Sequence, residues 1–120
     1  MKIASYDMNG GSSGLSPFYL HAIEQGKRIR DVHKLPPSWN PDMLIINPIS
    51  SVRREHWKGI REYLEANEQQ KVLLYAPNEN EREISQLLGN HPNMEIISSE
   101  DPVLTGKRWE RLCQITGLTK

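Results

Sequence analysis

Short apolar runs separated by polar segments, often with glycine or proline, set the pattern of this chain. Four such runs cover Lys2–Tyr6, Met43–Ile46, Lys71–Tyr75 and Met94–Ile97. Runs of this length bounded by turn residues are typical of β-strands. The second and third contain almost no polar residue, as expected for strands covered on both faces in a parallel sheet. We therefore predict a mostly parallel sheet built from these four strands.

A fifth strand is only weakly indicated, over Arg28–Val32. Its two apolar residues, Ile29 and Val32, are three positions apart and would point to opposite faces of a sheet. We expect this segment to be a short edge strand or an extended loop.

Apolar residues at helical spacing fill the intervals between the strands. The predicted helices cover about residues 17–25, 51–67, 80–88 and 106–116. Ser16-Pro17 is a favourable start for the first helix, and Gly26, Gly89 and Gly117 are placed to end three of the four. In the first helix, we expect Tyr19, Leu20 and Ile23 to form the buried side.

The alternation of strands and helices predicts an α/β fold in a single domain over residues 1–120. We expect a three-layer, open, mostly parallel sheet of four or five strands with helices on both faces, flavodoxin-like or Rossmann-like. Residues 33–40, with Pro36-Pro37, are too few and too rich in proline for a crossover helix. One helix of the five-unit flavodoxin-like pattern is therefore expected to be missing or replaced by a loop.

Charge and cysteine content narrow the functional classes. Fifteen basic residues balance fifteen acidic ones, so no overall field favours nucleic acid or an anionic membrane surface. The single cysteine, Cys113, cannot form an internal disulfide, which indicates a reducing compartment. No apolar run is long enough for a signal peptide or a membrane span. We expect a cytoplasmic protein.

Ligands of open parallel sheets bind beyond the carboxyl ends of the strands, near the reversal of strand order. The polar and glycine residues that the predicted topology delivers to this rim form the candidate ligand-binding site. They are Asp7, Asn9, Gly10, Gly11, Ser12, Ser13, Asn47, Ser50, Ser51, Arg53, Arg54 and Ser98.

The loop after the first strand, residues 8–14, carries most of this hypothesis. Its glycines allow backbone amides to turn toward a ligand, and the following helix directs its positive end to the same place. Arg53 and Arg54, in the first turn of the second predicted helix, would neutralise an anion. No Gly-Lys-Ser/Thr follows, so the loop is not a P-loop, and a plain strand-to-helix connection uses the same residues. Both interpretations stay open.

Asp7, directly after the first strand, resembles the acidic position of response-regulator receiver domains, whose length is similar. Asn47 stands where that family has its phospho-accepting aspartate, and no lysine follows Ser98-Ser99. The resemblance therefore implies a pseudo-receiver that does not accept a phosphoryl group. Weaker similarities to flavodoxins and to class I glutamine amidotransferase-like domains extend no further than the general fold.

Catalytic groups are sparse in this sequence. The four histidines, at positions 21, 33, 56 and 91, have no metal-ligand spacing. Cys113 is predicted to be a buried thiol, and Trp57 and Trp109 to be core residues. We expect binding of an anionic small molecule, a nucleotide or phosphorylated metabolite. The alternative is a non-catalytic, pseudo-receiver-like module that contacts a protein partner or a second copy through a helical face. Neither assigns a reaction or a cofactor.

Overall fold

The computed structural model describes residues 2–7, 16–32, 34–35, 37, 39–47, 54–76, 81–98 and 105–118, with the backbone alone at residues 7, 16, 54–56 and 105–109. The strands are β1 (Lys2–Asp7), β2 (Arg28–Asp31), β3 (Met43–Asn47), β4 (Lys71–Tyr75) and β5 (Met94–Ile97). The helices are α1 (Ser16–Glu24), α2 (Arg54–Ala66), α3 (Glu81–Leu88) and α4 (Thr105–Thr116).

The five strands form one sheet in the order β2-β1-β3-β4-β5, and every neighbouring pair is parallel. This is the flavodoxin-like order of a doubly wound α/β fold. The predicted fold class is therefore confirmed. The weakly indicated fifth strand, β2, is present at one edge of the sheet.

The direction of each connection determines which face its helix covers. The chain moves one way from β1 to β2 and the other way from β3 through β4 to β5, and crossovers between parallel strands are right-handed. As a result, α1 lies on one face of the sheet, and α2 and α3 lie on the opposite face. Helix α4 follows β5 and packs beside α1, so the sheet is covered on both sides.

Two clusters of buried apolar residues lie on the two faces of the sheet. The first face buries side chains of β1, β3, β4 and β5 against Phe18 and Ala22 of α1, and against Leu112 and Cys113 of α4. The second face buries the alternate strand residues against α2 and α3. Its helical members are Trp57, Ile60, Tyr63, Leu64, Ile84 and Leu88. The predicted burial of Trp57 and Cys113 is confirmed, with exposures of 5% and 1%.

The connection from β2 to β3 must also cross the second face, because it runs in the same direction as the β3-to-β5 connections. None of its described residues is helical. Val32, Leu35 and Trp39 pack against the second cluster in place of a helix. The expected loss of one helix from the flavodoxin-like pattern is thus confirmed.

Three predicted helix ends are also confirmed. Gly26, Gly89 and Gly117 follow α1, α3 and α4 with φ of 82°, 79° and 74°. A left-handed residue directly after a helix lets the chain leave the last turn, and only glycine adopts that conformation without steric cost.

The predicted buried side of α1 is wrong in two of its three residues. Leu20 and Ile23 are 63% and 54% exposed, while Phe18 and Ala22 are 1% and 0% exposed. Five apolar residues crowd this nine-residue helix and encircle most of it, so periodicity alone allows more than one buried face. Packing against the sheet selects the face with Phe18 and Ala22, because the large ring of Phe18 beside the small side chain of Ala22 fits close against the sheet.

Candidate functional site

The reversal of strand order lies between β1 and β3. These strands are neighbours, yet the connection after β1 leads to β2 and the connection after β3 leads to β4 on the other side. At their carboxyl ends the Cα atoms of Asp7 and Asn47 are register partners. Two of the predicted site residues are therefore adjacent in the backbone, at the point where ligands of this fold class bind.

Asn47 contributes a buried polar side chain at this position. It is 2% exposed and, by strand alternation, follows Met43 and Ile45 on the first face of the sheet. A carboxylate buried to the same degree would carry a much larger desolvation cost. An amide supplies both a donor and an acceptor there without burying a charge.

Two helices begin close to this reversal point. Helix α1, which follows β1, starts at Ser16, and α2, which follows β3, starts at Arg54. In a parallel α/β unit the helix after a strand begins at the carboxyl edge of the sheet, so both amino termini lie along this rim. The aligned peptide dipoles of a helix give its amino terminus a positive partial charge of about half a unit, which would stabilise a nearby anion.

Ser98 lies elsewhere on the rim. It follows β5, the edge strand, and is 0% exposed. Two strand spacings, about 10 Å, separate β5 from β3. Strand alternation also places Ser98 on the second face, whereas Asn47 is on the first. The structure brings Asp7 and Asn47 together and leaves Ser98 apart from them.

The other predicted site residues lie outside the described part of the chain. They are Asn9, Gly10, Gly11, Ser12, Ser13, Ser50, Ser51 and Arg53. In the described part of the chain, the candidate site is formed by the carboxyl ends of β1 and β3 and by the first residues of α1 and α2.

A hydrogen-bonded pair of hydroxyl groups near the candidate site was not predicted from the sequence. Ser5 in β1 is 0% exposed, and its Oγ lies 2.7 Å from the hydroxyl of Tyr19 in α1. The bond joins α1 to the strand that ends at Asp7. A serine inside an otherwise apolar strand is the sequence signal for such a pair, since a buried hydroxyl needs a partner.

Three concavities lined by described residues lie away from the carboxyl rim. One of about 450 Å³ opens at the amino ends of the strands, beside Met43, Lys71 and Asn93. A second, of about 480 Å³, lies between the segment before β3 and the segment after α2. A third, of about 460 Å³, follows the open edge of β5, where Arg111 Nη2 donates to the Ile96 carbonyl at 2.8 Å.

The described histidines make local contacts. The Nε2 atoms of His21 and Gln25 are 2.7 Å apart on α1, and His91 Nε2 donates to the Leu88 carbonyl at 2.6 Å, at the end of α3. No group of three His, Cys, Asp or Glu residues in the described ranges could hold a metal ion. Nor does any helix in those ranges have the length and apolar character needed to cross a membrane.

No protein-family model matches the chain, and no curated protein matches it.

Proposed function

We propose that this protein binds a small anionic ligand, a nucleotide or phosphorylated metabolite, at the carboxyl rim between β1 and β3. The observation that supports the proposal is the strand order, with its reversal between Asp7 and Asn47. In open α/β sheets this crevice is where ligands bind.

The chemistry of the proposed site follows from the groups that converge there. Backbone amides of residues 9–14 and the amino termini of α1 and α2 would hold the anion. Arg53 or Arg54 would neutralise it, and Asp7 and Asn47 would orient the uncharged part of the ligand by hydrogen bonds.

A second candidate function rests on the exposed face of α1. Leu20 and Ile23, three residues apart, present two large apolar side chains to solvent. Neighbouring exposed apolar residues are a feature of interaction surfaces. This favours a non-catalytic module that contacts a protein partner or a second copy, as in a pseudo-receiver.

A thermal-shift screen against nucleotides, flavins, sugar phosphates and inorganic phosphate tests the first proposal. A ligand present at one hundred times its dissociation constant stabilises the folded state by about 2.7 kcal/mol, which raises the melting temperature by roughly 8 °C or more in a domain of this size. The shift should shrink in Arg54→Ala and in Gly11→Val.

Arg61→Ala is the matched control. Arg61 is also an arginine of α2, but it lies two turns from the amino terminus and pairs with Glu65 at 2.9 Å on the surface. Its loss should leave the ligand-induced shift unchanged. No shift with any ligand of the panel would reject the anion site. A dimer or complex that dissociates in Leu20→Ser/Ile23→Ser would then favour the interaction module.

A further inference from the structure

Three cations lie together at the β2 edge of the sheet. Lys2 of β1 is the register partner of Arg28, and Ala4 is the register partner of Arg30. Register partners in a parallel sheet direct their side chains to the same face. Ala4 belongs to the second cluster, so Lys2, Arg28 and Arg30 share the second face, where the helix between β2 and β3 is missing. We call these three residues the basic edge.

The basic edge lies beside one aromatic ring. The Arg30 guanidinium carbon is 4.9 Å from the Trp39 ring centroid, and Lys2 Nζ is 5.9 Å from it. Such cation–π contacts offset only part of the repulsion between like charges on neighbouring strands. Within the described residues, none of the three side chains forms a salt bridge with a carboxylate. A carboxylate oxygen of Asp42 accepts a hydrogen bond from Lys2 N at 2.7 Å, so the charge offered to an anionic partner is mainly that of Arg28 and Arg30.

The backbone of β2 is open on its outer side. Val32 N donates to the Ser5 carbonyl at 2.9 Å, so by alternation Arg28 and Arg30 also direct their backbone groups toward β1. Ile29 and Asp31 direct theirs outward. At the opposite edge of the sheet, Arg111 Nη2 donates a hydrogen bond to the outward carbonyl of Ile96 in β5. No described residue makes an equivalent contact with the outward groups of β2.

We propose that the β2 edge binds an extended acidic peptide as an added sixth strand. The peptide backbone would pair with the outward groups of Ile29 and Asp31, in the mode known as β-strand addition. Acidic side chains at alternate positions of the peptide would lie opposite Arg28 and Arg30. Alternate residues of a β-strand are about 6.6 Å apart, so the two acidic side chains of the peptide have the same spacing as Arg28 and Arg30.

The geometry favours a peptide over a single-stranded nucleic acid. Binding of single strands relies on aromatic rings that are free to stack with bases, and the ring of Trp39 is occupied by its contacts with two cations. The chain has no net charge to attract a long polyanion.

Fluorescence anisotropy with two labelled peptides of the same composition provides the first test. One peptide carries two glutamates at alternate positions, separated by valine, and the other carries the two glutamates side by side. The alternating peptide should bind more tightly, because only its carboxylates share one face of a strand. Replacing both arginines, Arg28→Gln/Arg30→Gln, should weaken binding about two- to thirtyfold, from the loss of two exposed ion pairs.

A matched pair of substitutions at Asp31 separates backbone pairing from charge attraction. Asp31→Asn removes only a negative charge and should strengthen binding of the acidic peptide by a few fold. Asp31→Pro removes the same charge and also the outward N–H, at an edge position that tolerates proline. It should bind about two- to tenfold more weakly than Asp31→Asn, for the loss of one hydrogen bond.

Amide hydrogen exchange measured by NMR gives an independent readout. Peptide should slow exchange at Ile29 and Asp31 and leave Arg30 and Val32, whose amides already pair with β1, unchanged. Equal affinity for the two peptides, or equal binding by the two Asp31 variants when both are folded, would overturn the proposal. Tighter binding of an oligothymidylate would assign the basic edge to nucleic acid instead. If Asp31→Pro does not fold, the peptide comparison and the arginine variants decide alone. Arg54→Ala should not affect peptide binding, which separates this site from the rim.

Discussion

The orientation of α1 yields a sharp prediction about stability. Phe18→Ala should lower the free energy of unfolding by about 3–5 kcal/mol, because it removes a fully buried ring and leaves a cavity. Leu20→Ala should cost at most about 1 kcal/mol. Only about a third of the Leu20 side chain is buried, and complete burial of a leucine contributes about 1.5–3 kcal/mol. Alanine also has a slightly higher helix propensity.

Urea denaturation followed by circular dichroism measures the difference directly. A domain of this length is expected to have a stability of about 6–18 kcal/mol, and a slope of about 2 kcal/mol per molar urea is typical. The midpoint of Phe18→Ala should therefore fall by roughly 2 M, and that of Leu20→Ala by less than about 0.5 M. Equal slopes for the two variants and the parent protein would show that the comparison is valid.

The opposite ranking would refute the described packing of α1. If Leu20→Ala cost 2 kcal/mol or more while Phe18→Ala cost less than 1 kcal/mol, the face with Leu20 and Ile23 would be the buried one. The second candidate function, which depends on the exposure of these two residues, would then be rejected as well.

Three further predictions concern single contacts. Burial raises the pKa of the Tyr63 hydroxyl, so the unfolded chain loses this proton before the folded protein does. Stability should therefore fall as pH rises above about 10. Tyr63→Phe should reduce that fall, as measured by thermal melts at pH 9 and pH 11. Gly59 lies inside α2 with open space where an added Cβ atom would be, whereas Gly26 has φ of 82°. In urea denaturation, Gly59→Ala should stabilise the protein by about 1 kcal/mol, and Gly26→Ala should destabilise it by a similar amount. Ser5→Ala and Tyr19→Phe should each cost about 0.5–1.5 kcal/mol, and a double variant that costs the full sum would argue against their hydrogen bond.

Four of the five strands were predictable because each is a short apolar run bounded by turn residues, whereas β2, with the sequence Arg-Ile-Arg-Asp, was only weakly indicated. The runs at 43–46 and 71–75 pack on both faces, so their burial does not depend on which face a residue occupies. The glycines at the helix ends were predictable for a different reason, since a left-handed residue directly after a helix is almost always glycine.

The buried face of α1 was not predictable from periodicity. Residues 18, 19, 20, 22 and 23 are all apolar, and a helix apolar on most sides can rotate without changing its pattern. What distinguishes the faces is shape: the small side chain of Ala22, next to Phe18, permits close approach to the sheet. The hydroxyl of Tyr19 can then reach Ser5 on β1. Such complementarity involves residues far apart in sequence, which a local pattern does not contain.

Only the location of the candidate site, and not the set of residues that meet there, could be predicted from the sequence. The alternation of strands and helices implies a carboxyl rim, and the pairing of β1 with β3 puts Asp7 beside Asn47. The same order places Ser98 two strand positions from Asn47 and three from Asp7. Which rim residues meet depends on strand order, and strand order is a long-range property that no single run of the sequence encodes.

The basic edge has its origin in the short connection from β2 to β3. Because β2 lies outside β1, this connection must cross the second face over β1, and its eleven residues, 32–42, leave no room for a crossover helix with its turns. Trp39 and Leu35 then provide the cover that a helix would provide. These two side chains cover less of β2 than a helix would, so Arg28 and Arg30 stay exposed. Lengthening this connection to insert a helix should bury the basic edge and abolish peptide binding, while leaving the reversal between β1 and β3 and any ligand bound there unaffected.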